Sequence, residues 1–149
     1  MPLGVLPPLL CCLTSCGSKL STSESDLKNL AQTLQKLHTI PIDAKPIKLQ
    51  TDTSLIDNYP KEYVLCHNDL NPQNIFFGDS VKVIDFEYAG VNDRYFDLAS
   101  VCVEFGLDMQ MQKVFLDAYF TDEDFVLEKL KDYKVIYSVL CKEWFEKNL

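Results

Sequence analysis

His67, Asp69, Asn74 and Asp85 are the residues whose types and spacing point to chemistry in this 149-residue chain. They lie in Cys66-His67-Asn68-Asp69-Leu70-Asn71-Pro72-Gln73-Asn74 and, eleven residues after Asn74, in Val83-Ile84-Asp85-Phe86-Glu87. Phosphoryl transfer asks little covalent chemistry of a protein. It needs a carboxylate that accepts or orients a hydroxyl proton, and oxygen ligands that hold Mg²⁺ against phosphates. Asp69 fits the first role, and Asn74 and Asp85 fit the second. Asp and Asn are also ordinary turn residues, so the element between them carries the argument. Ile75-Phe76-Phe77 and Val81-Lys82-Val83-Ile84 flank Gly78-Asp79-Ser80 and read as a hairpin. Such a hairpin brings Asn74 at its start close to Asp85 at its end.

The surrounding elements must hold that hairpin. Leu27, Leu30, Ala31, Leu34 and Leu37 recur at helical spacing and predict a helix over 24–38. Ser23 with Asp26 resembles a capping box at its start. His38 ends this helix and Pro41 follows; His38 is read as a structural helix-end residue, with a catalytic role as the alternative. Residues 39–61 hold three prolines and predict a loop with short turns. Residues 62–66 predict a strand entering the site, 89–95 a loop, 96–106 and 108–120 two helices. Thr121-Asp122-Glu123-Asp124 predicts the start of a long helix, acids in its first turn suiting the dipole. Its apolar face is Phe125, Leu127, Leu130, Tyr133, Ile136, Tyr137, Leu140 and Trp144.

Composition bounds the class. The chain is 47% hydrophobic and 24% charged, ordinary for one globular domain with a core. The net charge of −8 and the single Arg, at 94, argue against nucleic acid as a partner. Of six cysteines, Cys66, Cys102 and Cys141 sit in apolar patterns, and there is no CxxC pair. Buried free thiols and a cytoplasmic location are therefore expected. No run reaches the roughly 18 apolar residues of a membrane span. Residues 1–16 hold three prolines, three cysteines and no charged side chain, and they are read as an atypical segment outside the fold. Leu13-Thr14-Ser15-Cys16 resembles a lipoprotein cleavage box, but no Lys or Arg precedes Lys19, so a remnant of a longer protein is the preferred expectation.

The motifs Cys66 to Ile75, Ile84 to Tyr88, Phe96-Asp97-Leu98-Ala99 and Glu104 resemble the choline kinase and aminoglycoside phosphotransferase superfamily. Glu87 and Tyr88 after Asp85-Phe86 favour its choline/ethanolamine kinase branch, which includes the bacterial LicA-type choline kinases. The resemblance covers roughly residues 17–149. It implies an α+β fold: the mostly helical C-terminal lobe of a protein-kinase-like structure, with a small β-hairpin at the catalytic site. It implies ATP as co-substrate, Mg²⁺ as the metal, and a small alcohol, choline first and ethanolamine, thiamine or an aminoglycoside next. Asp69 would be the base. Asn74 and Asp85 would ligate the metal and so hold the nucleotide. His67 would brace the loop, with proton transfer as the alternative. Asn68 and Asp97 would be structural at the site, Asp97 bonding the catalytic loop. Glu87 would join the metal shell through water or attract a cationic substrate.

A quaternary ammonium donates no hydrogen bond, so aromatic faces and carboxylates must recognise it. The candidates are Glu87, Tyr88, Glu104, Tyr133, Tyr137 and Trp144. For the three aromatics of the last helix, a place in the core is the competing reading. The chain has five glycines and no G-x-G-x-x-G, and no strand lysine precedes His67 in a V-A-I-K-like context. The N-terminal, nucleotide-covering lobe of the family is therefore expected to be missing, and a catalytically impaired remnant is the second hypothesis.

Overall fold

A computed structural model describes residues 22–148. The expectations for residues 1–16 lie outside them. Helix α1 spans Glu24–His38, and Ser23 caps it by accepting the Asp26 amide at 3.1 Å. Its buried face is Leu27, Leu30, Ala31, Leu34 and His38, which packs against helix α3, Met109–Tyr119. Helix α2, Arg94–Glu104, packs against the long helix α4, Leu127–Asn148. Among the described residues the result is α+β, four helices around two small two-stranded sheets.

Strands β2 (Ile75–Phe76) and β3 (Lys82–Val83) form the expected hairpin, antiparallel with Ile75 opposite Val83. The other sheet corrects the sequence reading. Residues 89–95 were expected to be a loop, but Gly90–Asp93 form a strand, β4, antiparallel to β1 (Tyr63–Cys66). Gly, Asn and Asp are poor strand formers, and tertiary pairing overrides that preference. Ile47 extends the pairing from the other side, its amide donating to the Val91 carbonyl at 2.8 Å. An added Cβ at Gly90 would stand 3.0 Å from the Ile47 side chain, so a larger residue here would press that side chain aside.

The last helix also starts later than expected, at Leu127. The acids at 122–124 do not sit in its first turn. Glu123 instead meets Arg94 at 2.7 Å, and the Val126 amide donates to the Tyr95 hydroxyl at 3.0 Å. Glu123 and Val126 are thus tied to residues of α2, a constraint that local spacing does not carry.

One end of the β1–β4 ribbon is fixed by charge. Lys129, 2% exposed, reaches Glu62 at 2.7 Å, Asp93 at 2.8 Å and the Pro60 carbonyl at 2.8 Å. Arg94 joins Glu62 and lies over the Phe120 ring at 4.8 Å. Removing one member of such a buried cluster leaves the other charge unpaired, which costs far more than the intact pair contributes. The opposite end, where Cys66 faces Gly90, opens into residues 67–74. Cys66, Cys102 and Cys141 are buried free thiols, as expected. No helix among the described residues is long and apolar enough to cross a membrane.

Candidate active site

Asp97 stands at the first turn of α2, wholly buried. Its carboxylate accepts the His67 amide at 2.9 Å and the Asn68 amide at 2.9 Å, which fixes the start of the loop. Burial would raise this acid, but the hydrogen bond from His38 and the two amides outweigh it and hold it below the ordinary carboxylate range. Asn68 takes a left-handed backbone, φ 67°. Its amide group donates to the Tyr88 carbonyl at 3.0 Å and accepts from Asn92 at 3.0 Å. Asn is one of the few residues that adopts this conformation at modest cost.

His67 is fully buried, and both ring nitrogens are engaged. The Asp69 amide donates to Nδ1 at 3.1 Å, so Nε2 carries the hydrogen and donates to the Ile84 carbonyl at 2.9 Å. Phe86 packs edge-on against the ring at 4.8 Å. The imidazole therefore ties the loop to the Asp85 segment.

Asp69 is 6% exposed and is gripped from two sides. Asn71 donates to Oδ1 at 3.2 Å, and Asn74 donates to Oδ2 at 3.2 Å and to the Asp69 carbonyl at 2.9 Å. Burial pushes the Asp69 carboxyl up to about 7, and the Asp85 and Glu104 carboxylates add to that against the pull of Asn71 and Asn74. A carboxylate poised near neutrality suits a general base. Asn71 also caps the 3₁₀ turn Pro72–Asn74, accepting the Gln73 amide at 2.9 Å.

Asn74 and Asp85 come together as the hairpin requires, with the Ile84 amide donating to the Asn74 carbonyl at 2.9 Å. Asp85 is exposed and also left-handed, φ 62°. Because Asn74 turns its amide hydrogens to Asp69, its side-chain oxygen is the atom left for a cation. An amide oxygen and a carboxylate oxygen are hard donors that fit Mg²⁺, and the nearest imidazole nitrogen is already taken.

The expected substrate residues divide. Glu104 lies on the Asp69 side, since its charge acts on that carboxyl, and it accepts the Tyr137 hydroxyl at 2.5 Å. Tyr88 is half-buried above Asn68; its hydrogen bond to Glu87, with burial, raises the phenol to about 12. Glu87 is exposed and Trp144 is half-buried, edge-on to Phe145. Tyr137 is buried against Phe96 and acts on the site through Glu104. Tyr133 is 1% exposed, packed beside Tyr95 and Lys129 at the charged end of the ribbon, the surroundings that its core reading describes.

Sequence reasoning missed Asn71 and Asn92. Asn71 stands two positions after Asp69, a signal that was available. Asn92 lay in an expected loop and gave none. Two surface cavities, of about 420 and 480 Å³, are lined by residues around Phe120 and around Tyr59 and share no residue with the site.

With this geometry in place, the similarities to known proteins are informative. Residues 47–133, more than half the chain, match the model of the phosphotransferase enzyme family. Protein LicA of Haemophilus influenzae is 35% identical over 80 residues, covering 52% of this chain and 30% of that protein. A probable ethanolamine kinase B of Dictyostelium discoideum is 45% identical over 58 residues, 36% of this chain and 13% of that one. The crystal structure of the choline kinase LicA from Streptococcus pneumoniae superposes with a TM-score of 0.66 at 23% identity, over 86% of this chain and 56% of that one. A LicA structure in complex with AMP superposes with a TM-score of 0.65 at 24% identity. The chain thus spans about half of these solved structures and under a third of these two curated relatives. The family match over residues 47–133 makes this chain a member of the phosphotransferase enzyme family, and the solved structures share its fold.

Proposed function

We propose that residues 17–149 form the catalytic lobe of a cytoplasmic kinase that transfers the γ-phosphoryl group of ATP to the hydroxyl of choline. The observation that carries this reading is the Asp69 carboxyl, held by Asn71 and Asn74 and raised to about 7 beside Asp85. Asp69 takes the hydroxyl proton or aligns the hydroxyl for attack. Asn74 and Asp85 would hold Mg²⁺, which when bound neutralises charge on the phosphates. Asn68, His67 and Asp97 keep the carboxylate in place, so little reorganisation is left for the reaction. Glu104 and Glu87, with Tyr88 and Trp144, supply the negative charge and aromatic surface that attract a quaternary ammonium, and cation–π contact contributes about 0.5–2 kcal/mol.

A second reading is a lobe that binds Mg²⁺ or the alcohol weakly without turnover. The two separate in one assay: the chain with ATP and Mg²⁺ against choline, ethanolamine, thiamine and an aminoglycoside. The proposal expects phosphocholine as the fastest-formed product. No product with any alcohol, together with no nucleotide binding, sinks it and leaves the second reading. A faster ethanolamine or thiamine reaction keeps the enzyme and changes its substrate.

A further inference from the structure

Behind Asp97 lies a buried chain of side chains that the reaction does not touch. His38, at the last position of α1, places Nε2 2.9 Å from Asp97 Oδ2 and Nδ1 2.6 Å from the Tyr119 hydroxyl. All three residues are at most 8% exposed. Asp97 in turn accepts the amides of His67 and Asn68. Cys66 brings a sulfur close enough that His38, Cys66 and Asp97 place their ligand-type atoms within 4.8 Å of one another. That looks like a metal cluster, but its atoms are committed elsewhere. Asp97 already accepts three donors, and the Cys66 sulfur lies 3.5 Å from the Asn92 carbonyl.

We propose that His38 is a positioning residue for phosphoryl transfer: with Tyr119, it orients the Asp97 carboxylate that holds the His67 and Asn68 amides, and so sets the placement of Asp69. The two amides each hold one carboxylate oxygen, and both belong to the loop being held, so they cannot by themselves fix that loop and the carboxylate against the rest of the fold. A third donor, fixed on a different helix, does so. In the neutral imidazole the Nε2 hydrogen faces Asp97, and Nδ1 accepts the Tyr119 hydroxyl, which selects that tautomer. His38 ends α1 and Tyr119 ends α3, so the α1–α3 pair is coupled to a loop on the other side of β1. This inference rests on the phosphotransferase reading for its functional meaning. Its geometric core does not.

The test is amide hydrogen exchange of the full chain, followed residue by residue, with turnover as a second readout. His38→Leu removes the donor, and the His67 and Asn68 amides should exchange roughly tenfold faster, the effect of one lost hydrogen bond. Amides within α3 away from Tyr119 should stay at wild-type rates. His38→Gln, which can place an amide donor near the Nε2 position, should restore most of the protection. Tyr119→Phe keeps the packing and removes only the hydroxyl, and should give a smaller rise, about threefold. With turnover, His38→Leu should lower kcat about tenfold and leave the KM for choline unchanged, because the alcohol does not touch His38. Wild-type exchange at His67 and Asn68 in His38→Leu overturns the proposal. Should that variant not fold, wild-type exchange in Tyr119→Phe overturns it equally. If the wild-type chain turns nothing over, the exchange arm still decides. Turnover with unchanged exchange discards the role of His38 and keeps the kinase.

Discussion

Residues 67–74 and residues 85–88 meet across one hairpin, yet they are held in different ways. The first stretch is buried except at Pro72 and Gln73, and its side chains and amides are bonded to Asp97, Asn92, Ile84 and one another. The second is exposed along Asp85, Phe86 and Glu87, with Phe86 47% exposed and the Asp85 backbone left-handed. Asp69, the proposed base, is thus fixed by the fold, whereas Asp85, the proposed metal-holding carboxylate, stands open to solvent. The difference has a physical reason. A base must be placed to within a fraction of an ångström before reaction, and burial raises its pKa toward neutrality. A magnesium ligand must stay ionised and reachable by a hydrated ion that dehydrates reluctantly.

The contrast is broken most severely at Asp97. Asp97→Ala would leave two buried amides and His38 without their acceptor and should cost about 3–5 kcal/mol of unfolding free energy by urea denaturation. Asp85→Ala should change stability by no more than about 0.5 kcal/mol, since Asp85 is exposed, while removing Mg²⁺ affinity. Equal losses from the two substitutions would erase the distinction drawn between the halves.

At Asp69 the two properties separate. Asp69→Asn should lower turnover about 10²–10⁴-fold. It should also raise the melting temperature of the metal-free protein at pH 8, on the order of 5 °C. The folded-state pKa is raised, so ionising Asp69 costs stability as pH climbs from the unfolded value near 3.9 toward 7. The advantage of the variant should therefore be present at pH 8 and fade below about pH 4. A variant that is no more stable at pH 8 than at pH 4, relative to the parent, would mean that Asp69 is not destabilised by its surroundings. Asp97 carries the opposite sign. Its folded pKa is depressed, so its contribution is present above the unfolded pKa and is lost as acid protonates it.

How far the sequence carried this picture depends on where each constraint acts. The helix over 24–38 and the hairpin around Gly78-Asp79-Ser80 were legible because periodicity and turn chemistry are local. So was the proximity of Asn74 and Asp85, which follows from a hairpin whatever surrounds it. Strand β4 was not legible. Gly90-Val91-Asn92-Asp93 has turn composition, and only its pairing to β1 and to Ile47 makes it a strand. Tyr133 and Tyr137 share one stripe at helical spacing, but one turn of helix takes Tyr133 to the charged end of the ribbon and Tyr137 to Glu104. Periodicity finds such a stripe without saying what each ring meets. His38 was visible as a helix end, and its partner Asp97 lies 59 residues away.

A smaller effect than at Asp97 is expected at the contact joining the two halves. Phe86→Ala removes an edge-on ring from His67 and should cost about 0.5–1.5 kcal/mol. It should also loosen the Asp85 segment more than residues 67–74, read as a larger rise in amide exchange at 85–88. A larger rise at 67–71 would reverse the assignment of the rigid half.

The most direct single measurement is a Mg²⁺ titration of the full chain followed by amide chemical shifts. Shifts concentrated at Asn74 and across 84–88, with the amides of 67–71 nearly still and the response abolished by Asp85→Ala, are what this account predicts. Shifts spread evenly through residues 67–71, or the same response in Asp85→Ala, would contradict a fixed base facing an open metal-holding segment.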